Sequence, residues 1–165
     1  MNRALILFRN PWICLAARLY LGAIFVAACL HKIANPGSFA VDIATYQFLP
    51  PWSVNAFAIV LPWVEALAGA MLIAGYRVRA AALLIVGMMV SFMIALTWAL
   101  SNDIAMSCGC FASTAAEYDD PISWETLLRD GIWLALGVYV LLFDVSPLGV
   151  ERLIKKWRRS DARQV

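Results

Sequence analysis

The sequence is poor in charge, in glycine and in cysteine. Only 15% of its 165 residues are charged, the net charge is +2, and there are nine glycines, four cysteines and one histidine. So few glycines exclude a collagen-like chain, and four cysteines are too few for a disulfide framework in a chain of this length. A net charge this small gives no electrostatic basis for binding nucleic acid.

Apolar side chains are present in excess. They make up 63% of the residues and the mean hydropathy is +0.77, whereas soluble domains are about 45 to 50% apolar. A soluble fold of this size could not bury so much apolar surface, so the composition predicts a membrane protein. The length suits one domain. We expect a single transmembrane domain over residues 1–146 and a basic tail over 147–165.

Four apolar stretches have the roughly 20 residues needed to cross a hydrocarbon core of about 30 Å. They cover residues 11–31, 54–75, 79–100 and 122–143. None alternates with period two, and a helix satisfies its backbone hydrogen bonds internally in lipid. The sequence therefore predicts an all-α membrane protein, a bundle of four transmembrane helices in which the second and third form an antiparallel hairpin.

Basic residues in short flanking segments predict the orientation of such a bundle. They precede the first span, mark the linker between spans two and three, and crowd the tail. These residues are Arg3, Arg9, Arg77, Arg79, Arg152, Lys155, Lys156, Arg158, Arg159 and Arg163. With four spans they all lie on one side, so we expect both termini in the cytoplasm of a bacterium and the protein in its inner membrane. The tail is then a positive-inside anchor that contacts anionic lipid of the bilayer.

The loops at about 32–53 and 101–121 would face the periplasm in this orientation. In the first loop, Phe39, Ile43 and Tyr46 recur at helical spacing. This pattern predicts a short amphipathic helix that lies on the outer membrane interface and caps the bundle.

The most informative motif is Cys108-Gly109-Cys110 (CGC) in the second loop. Two cysteines one residue apart reach disulfide distance only if the backbone bends, which Gly109 allows. Such a strained, exposed pair suits thiol exchange more than structural stapling. Spacing alone leaves three interpretations open: a redox pair, a structural or incidental disulfide, and a metal site. His31 with the two cysteines is an incomplete ligand set, so we predict no metal.

The first span carries a polar stripe on one helix face. At about 100° per residue, its members fall within a quarter of the circumference, and we expect them to face the bundle. They are Cys14, Arg18, Gly22, Phe25, Cys29 and Lys32. Cys29 lies near the outer end and could act as a resolving thiol for the loop, whereas Cys14 lies about 22 Å further along the axis. For both, a small buried hydrophobe is the alternative role.

Arg18, Glu65, Arg129 and Asp130 are charged residues within the spans. A charge at mid-membrane costs roughly 2.5 to 3.5 kcal/mol, so each should have a partner. Depth along the helices places Glu65 where it can bridge the two arginines. This buried polar core could simply lock the bundle. It could also hold protons released by thiol oxidation, or bind the head group of a quinone as cofactor.

Two further features concern the surroundings of these groups. His31 and Lys32 lie at the outer mouth, where positive charge would favour thiolate in a nearby cysteine. Gly69 shares a face with Glu65 and would allow close approach of a neighbouring helix.

In this order the motifs resemble the MauE and wider DoxX-like family of redox-associated membrane proteins. The matching pieces are Arg18-Leu19-Tyr20-Leu21-Gly22, His31-Lys32, Asn35-Pro36 with Phe39, Tyr46 with Leu49-Pro50, Leu61-Pro62-Trp63-Val64-Glu65, Cys108-Gly109-Cys110-Phe111, and Trp124 with Arg129-Asp130. The resemblance covers about residues 12–143. It implies a four-helix bundle related in architecture to vitamin K epoxide reductase, from whose CxxC motif the CGC motif departs. It also implies a thioredoxin-like partner in disulfide formation or maturation of exported proteins.

We therefore expect an inner-membrane thiol-disulfide oxidoreductase. Cys108 and Cys110 would exchange disulfides with a periplasmic thioredoxin-like protein, one forming the mixed disulfide and the other resolving it. The alternative is a non-catalytic scaffold or assembly factor that docks a periplasmic redox protein, with the CGC bridge structural. Solute transport is disfavoured because four short spans leave little room inside the bundle.

Overall fold

The structure is a computed structural model that describes residues 10–47, 49–102, 124–144, 148–152, 154 and 157. Its helices are α1 (Pro11–Ala34), α2 (Pro36–Thr45), α3 (Pro51–Ala74), α4 (Val78–Ser101) and α5 (Trp124–Phe143). Residues 150–152, 154 and 157 are helical as well, and no strand occurs in the described part of the chain.

The prediction of an all-α fold with four membrane-spanning helices is confirmed. α1, α3 and α4 have 24 residues each and α5 has 20, and all four are apolar enough to cross a membrane. At about 1.5 Å per residue, such helices are roughly 30 to 36 Å long. α1 extends to Ala34 and α3 begins at Pro51, three residues beyond the predicted bounds in each case.

Turn signals, rather than the ends of apolar runs, set these bounds. α1, α2 and α3 each begin at a proline. Proline suits the first helical position because it lacks the N–H group that would be unpaired there. Asn10 caps α1 by accepting a hydrogen bond of 3.0 Å from the backbone N–H of Trp12. α3 ends at Ala74 and is capped by Gly75, whose φ of 68° lies in the left-handed region that favours glycine.

The four long helices form a closed ring. α3 and α4 are the predicted antiparallel hairpin, joined by Gly75, Tyr76 and Arg77. α1 packs most extensively on α3, and α4 on α5, while contacts between α1 and α5 complete the ring. α2 follows α1 after one residue and packs mainly on α3. The buried core at the centre draws on every long helix, and Leu21, Leu72, Ile85 and Val140 are among its residues.

The predicted stripe on α1 faces the bundle. All six of its members are buried, together with Leu21. The helix predicted in the first loop is also present as α2. Its interfacial position and the orientation of the termini stay predictions. Phe39 and Tyr46 are the buried residues of this region, and Tyr46 packs edge-on against Phe92 with the ring centroids 6.3 Å apart.

α1 and α3 approach closely at two facing glycines. A Cβ added to Gly22 would lie 2.9 Å from the carbonyl oxygen of Gly69, and a Cβ on Gly69 would lie 2.9 Å from that of Gly22. Small residues at such crossings let membrane helices pack backbone to backbone. The predicted close approach at Gly69 therefore has Gly22 as its counterpart.

We predict that Gly69→Ala destabilises the bundle, because the added methyl group forces the two backbones apart. Overpacking of this kind costs about 1 to 3 kcal/mol. The matched control is Gly87→Ala in α4, where an added Cβ meets nothing within 4 Å. It should be neutral or slightly stabilising. Unfolding of the purified protein in mixed micelles measures both, and equal effects of the two substitutions would contradict the role of the contact.

Candidate functional site

The CGC motif, including Cys108 and Cys110, lies outside the described residues. The structure does place the two ends of the segment that carries it. α4 ends at Ser101 and α5 begins at Trp124, and near these ends Tyr46 packs against Leu96 and Ala99. The segment therefore starts and finishes at the end of the bundle where α2 lies.

A cavity of about 230 Å³ opens beneath this end, between all five helices. We name it the aromatic cavity, because six aromatic side chains contribute to its walls: Phe25, Phe39, Tyr46, Phe57, Phe92 and Trp133. Four charged residues also line it, namely Lys32, Asp42, Glu65 and Asp130. It is an apolar space in contact with a few ionisable groups.

Lys32 and Glu65 form a buried ion pair beside this cavity. The Lys32 Nζ donates to Glu65 Oε2 at 3.0 Å and to Oε1 at 3.2 Å, and the two side chains are 8% and 12% exposed. The same ammonium group lies 5.0 Å from the centroid of the Phe39 ring, a cation–π distance. The pair joins α1 to α3 in the interior, where counter-charges must be close.

The prediction that Glu65 bridges Arg18 and Arg129 is wrong. Both carboxylate oxygens of Glu65 bond to Lys32. Counting residues placed Lys32 at the end of the span, but α1 continues beyond it. The flexible lysine side chain turns inward to the carboxylate. Its position on the α1 stripe was the sequence signal that could have revealed this partner.

Arg129 and Asp130 are neighbours in sequence and bond to each other. The Arg129 Nε donates to Asp130 Oδ1 at 3.2 Å, and the guanidinium lies 5.1 Å from the Trp133 ring centroid. Asp130 is 1% exposed, and among the described residues its Oδ2 has no hydrogen-bond partner. Asp130 lines the aromatic cavity and carries one buried oxygen without a hydrogen-bond partner in the described part of the chain.

Arg18 belongs to the opposite end of the bundle. It is 3% exposed, and its Nη2 donates to the carbonyl oxygen of Leu148 at 3.0 Å. The predicted polar core is therefore divided. Glu65 and Asp130 line the aromatic cavity, whereas Arg18 lies near the turn between α3 and α4.

Cys14 and Cys29 lie inside the bundle, and each is 1% exposed. Cys29 donates to the carbonyl of Val26 at 3.0 Å, within its own helix. Cys14 donates to the carbonyl of Phe143 at 3.1 Å and contacts the Tyr139 hydroxyl at 3.3 Å. Both cysteines fit the alternative role of a small buried side chain, and each also donates a hydrogen bond to a helix carbonyl. A resolving role for Cys29 stays a prediction, and it would require this packing to open.

His31 is half-buried and takes part in at least one interaction. Among the residues that the structure describes, no three His, Cys, Asp or Glu side chains are grouped so as to hold a metal ion. Cys108 and Cys110 are not among these described residues.

The residues around the aromatic cavity fit the ring of a quinone. An apolar cavity of about 150 Å³ is enough to hold benzene, so 230 Å³ accommodates a substituted ring. Aromatic walls favour a flat ring. The Oδ2 of Asp130 can accept a hydrogen bond from a hydroxyl on it.

The apolar surroundings of the aromatic cavity also shift the pKa values of Asp42, in α2, and of Tyr46, which follows α2. Burial raises the pKa of Asp42, and the positive charge of Lys32 offsets part of this effect. Burial also raises the pKa of Tyr46, with a further contribution from Asp42. The Tyr46 hydroxyl therefore stays protonated at neutral pH and is a hydrogen-bond donor next to the cavity.

These features define a class: a multi-pass helical membrane protein with a buried ion pair and an apolar cavity beneath one end. The family model described as Methylamine utilisation protein MauE matches residues 10–143. The chain belongs to the MauE family.

Similar proteins carry the same name, methylamine utilization protein MauE. The one from Methylophilus methylotrophus is 31% identical over 146 residues, which cover 86% of this chain and 75% of that protein. The one from Paracoccus denitrificans is 29% identical over 132 residues, covering 79% and 69%. The one from Methylorubrum extorquens is 28% identical over 143 residues, covering 86% and 75%. No solved structure matches the chain.

We predict that Lys32→Met and Glu65→Gln each destabilise the protein. Lys32→Met leaves the Glu65 carboxylate buried without its counter-charge, which costs about 3 to 5 kcal/mol. Glu65→Gln leaves the Lys32 ammonium group buried without a counter-charge, at a similar cost. The double variant Lys32→Met/Glu65→Gln should recover part of this loss, because neither charge remains. Unfolding in mixed micelles measures the stability of all three variants. The control is Glu125→Gln, because Glu125 is an exposed carboxylate at the start of α5. Additive losses in the double variant would contradict the coupling.

We also predict a pH effect from Asp42. Its pKa is higher in the folded protein than the ordinary 3.8, so the folded state binds its proton more tightly than the unfolded chain. Stability is then lost as the pH rises through the raised pKa. Asp42→Asn should raise the melting temperature at neutral pH and flatten its decline above pH 4, unlike Glu125→Gln. An unchanged pH profile in Asp42→Asn would show that burial of this carboxylate has no cost.

Proposed function

We propose that this protein is a thiol-disulfide oxidoreductase of the bacterial inner membrane. Its CGC pair, Cys108 and Cys110, exchanges disulfides with a thioredoxin-like partner on the periplasmic side. The exchange serves disulfide formation in, or maturation of, exported proteins. Because its relatives are named for methylamine utilisation, we expect the exported proteins to serve that process.

The placement of the thiols is the observation that supports this proposal best. The chain has four cysteines. Cys14 and Cys29 are enclosed by the bundle and donate hydrogen bonds to helix carbonyls, so a soluble partner does not reach them. Exchange with such a partner therefore falls to Cys108 and Cys110, whose segment begins and ends at the α2 end of the bundle.

The exchange balances in two steps. A thiolate of the partner attacks one sulfur of the CGC disulfide, forming a mixed disulfide while the other CGC sulfur leaves as a thiolate. The second partner thiolate then attacks the partner sulfur of the mixed disulfide. This releases an oxidised partner and a CGC dithiol, so two electrons move to this protein. The same steps in reverse reduce the partner.

The aromatic cavity gives this proposal a candidate site for an electron acceptor. A quinone, when bound, supplies a two-electron oxidant for a dithiol. The aromatic walls would hold its ring, and Asp130 would accept a hydrogen bond from the reduced form. The Lys32–Glu65 pair, which also lines the cavity, would keep the local charge balanced.

We predict that the CGC pair cycles between oxidised and reduced states in the cell. In acid-quenched membranes labelled with a thiol-reactive mass tag, reductant should add two tags to part of the wild-type protein. Cys108→Ser or Cys110→Ser should trap a mixed disulfide with a partner, because the resolving thiol is missing. Cys14→Ser is the matched control. It replaces a buried thiol with a hydroxyl that can donate to the same carbonyl, and it should leave the cycle unchanged.

The scaffold alternative predicts a different result. The CGC pair would be fixed in one redox state, no mixed disulfide would form, and the partner would keep its normal redox state in the Cys108→Ser/Cys110→Ser variant. That outcome would overturn the exchange proposal.

A further inference from the structure

A second cavity, of about 500 Å³, lies at the other end of the bundle, where α3 turns into α4. We name it the arginine cavity. Its charged lining residues are Arg18, Arg77, Arg79, Asp144, Glu151 and Arg152. Four arginines against two carboxylates leave an excess of two positive charges. Thiol exchange at the CGC motif does not use this cavity.

The walls of the arginine cavity are built by segments far apart in sequence. The backbone at Gly75 and Gly149 is in close contact: a Cβ on Gly75 would lie 2.6 Å from the Cα of Gly149. Glu151 fastens the same junction, since its Oε2 accepts a hydrogen bond of 3.2 Å from the backbone N–H of Arg77. The segment after α5 thus packs back onto the α3–α4 turn and gives the cavity a defined shape.

The arginines occupy two different positions in this cavity. Arg18 is buried in its wall, held by the Leu148 carbonyl. Arg77 and Arg79 are exposed, and within the described part of the chain their guanidinium groups have no hydrogen-bond or ion-pair partner. Guanidinium groups match the oxygens of a phosphate through paired hydrogen bonds. The donors are therefore in place for a phosphate group.

Exposed apolar side chains beside the cavity indicate a lipid as the source of that phosphate. Val150, Ile154 and Trp157 follow each other at spacings of four and three residues, which places them on one helix face, and all three are exposed. Exposed aromatic residues at this end, Trp12 and Tyr76, are typical of a membrane interface. A soluble phosphate would make no use of such an apolar surface.

We propose that the arginine cavity binds the phosphate group of one anionic phospholipid. Arg77 and Arg79 donate to the phosphate, Arg18 supplies buried positive charge, and the apolar side chains of Val150, Ile154 and Trp157 rest on the acyl chains. This is a stoichiometric site, which differs from diffuse attraction of a basic tail to the membrane surface. It is independent of thiol exchange.

Native mass spectrometry of the full-length protein tests this site, with phosphatidylglycerol and phosphatidylcholine as probes. We expect one retained phosphatidylglycerol per chain. Arg77→Gln/Arg79→Gln should weaken its binding about tenfold or more, because hydrogen bonds to charged groups are lost. The charge-matched control is Lys155→Gln/Lys156→Gln, two basic residues of the same tail that the proposed site does not use. It should have little effect. The melting temperature in phosphatidylcholine checks that both variants fold.

Three outcomes would overturn the proposal. Equal losses in the two variant pairs would indicate diffuse electrostatic attraction. Equal retention of phosphatidylcholine would show that the lipid charge is not recognised. Displacement of phosphatidylglycerol by soluble glycerol 3-phosphate at similar concentration would identify a soluble phosphate compound as the ligand.

Discussion

The close contact between α1 and α3 is the constraint on which the rest of the structure depends. Gly22 and Gly69 face each other with no Cβ between them, so the two helix backbones approach closely. On one side of this crossing, Lys32 of α1 reaches Glu65 of α3. On the other side, Arg18 lies against the turn that ends α3. One helix pair thus fixes both the buried ion pair and a wall of the arginine cavity.

Charged side chains are compensated differently at the two ends of the bundle. Beside the aromatic cavity, Lys32 is paired with Glu65, and Arg129 with Asp130. Charges at membrane depth must be compensated within the protein, since hydrocarbon offers no partner. The arginine cavity instead keeps an excess of positive charge. Such an excess is stable only where phosphate or water can meet it, which is the condition at the head-group level.

The fold could be predicted from the sequence because its main determinants are local. Four apolar stretches, the three-residue linker and the 3.6-residue period of the α1 stripe each depend on neighbouring residues alone. The helix bounds were displaced where proline governs them, as at Pro51, because a helix begins where its first turn is satisfied and not where apolar residues begin.

The partners within the site could not be predicted in the same way. Glu65 was assigned to two arginines from depth alone, but depth does not say which side chain is long enough and on the facing side. Lys32 meets both conditions once α1 and α3 cross at their glycines. The contact of Gly75 with Gly149 is still less visible, because it joins positions 74 residues apart without any side chain. Pairings of this kind follow from tertiary packing.

The same packing explains why a cysteine pair that exchanges disulfides would lie in a segment connecting two helices, and not within a helix. A thiol within the bundle, such as Cys29, donates to a helix carbonyl and is covered by neighbouring side chains. For it to react with another protein, the α1–α3 contact would have to loosen, and the buried ion pair would be exposed with it. The proposed exchange at the CGC motif, in the segment joining α4 to α5, would need no opening of this contact. In that proposal the bundle would be a fixed support, and the aromatic cavity beneath the ends of the segment would keep its charged residues in place.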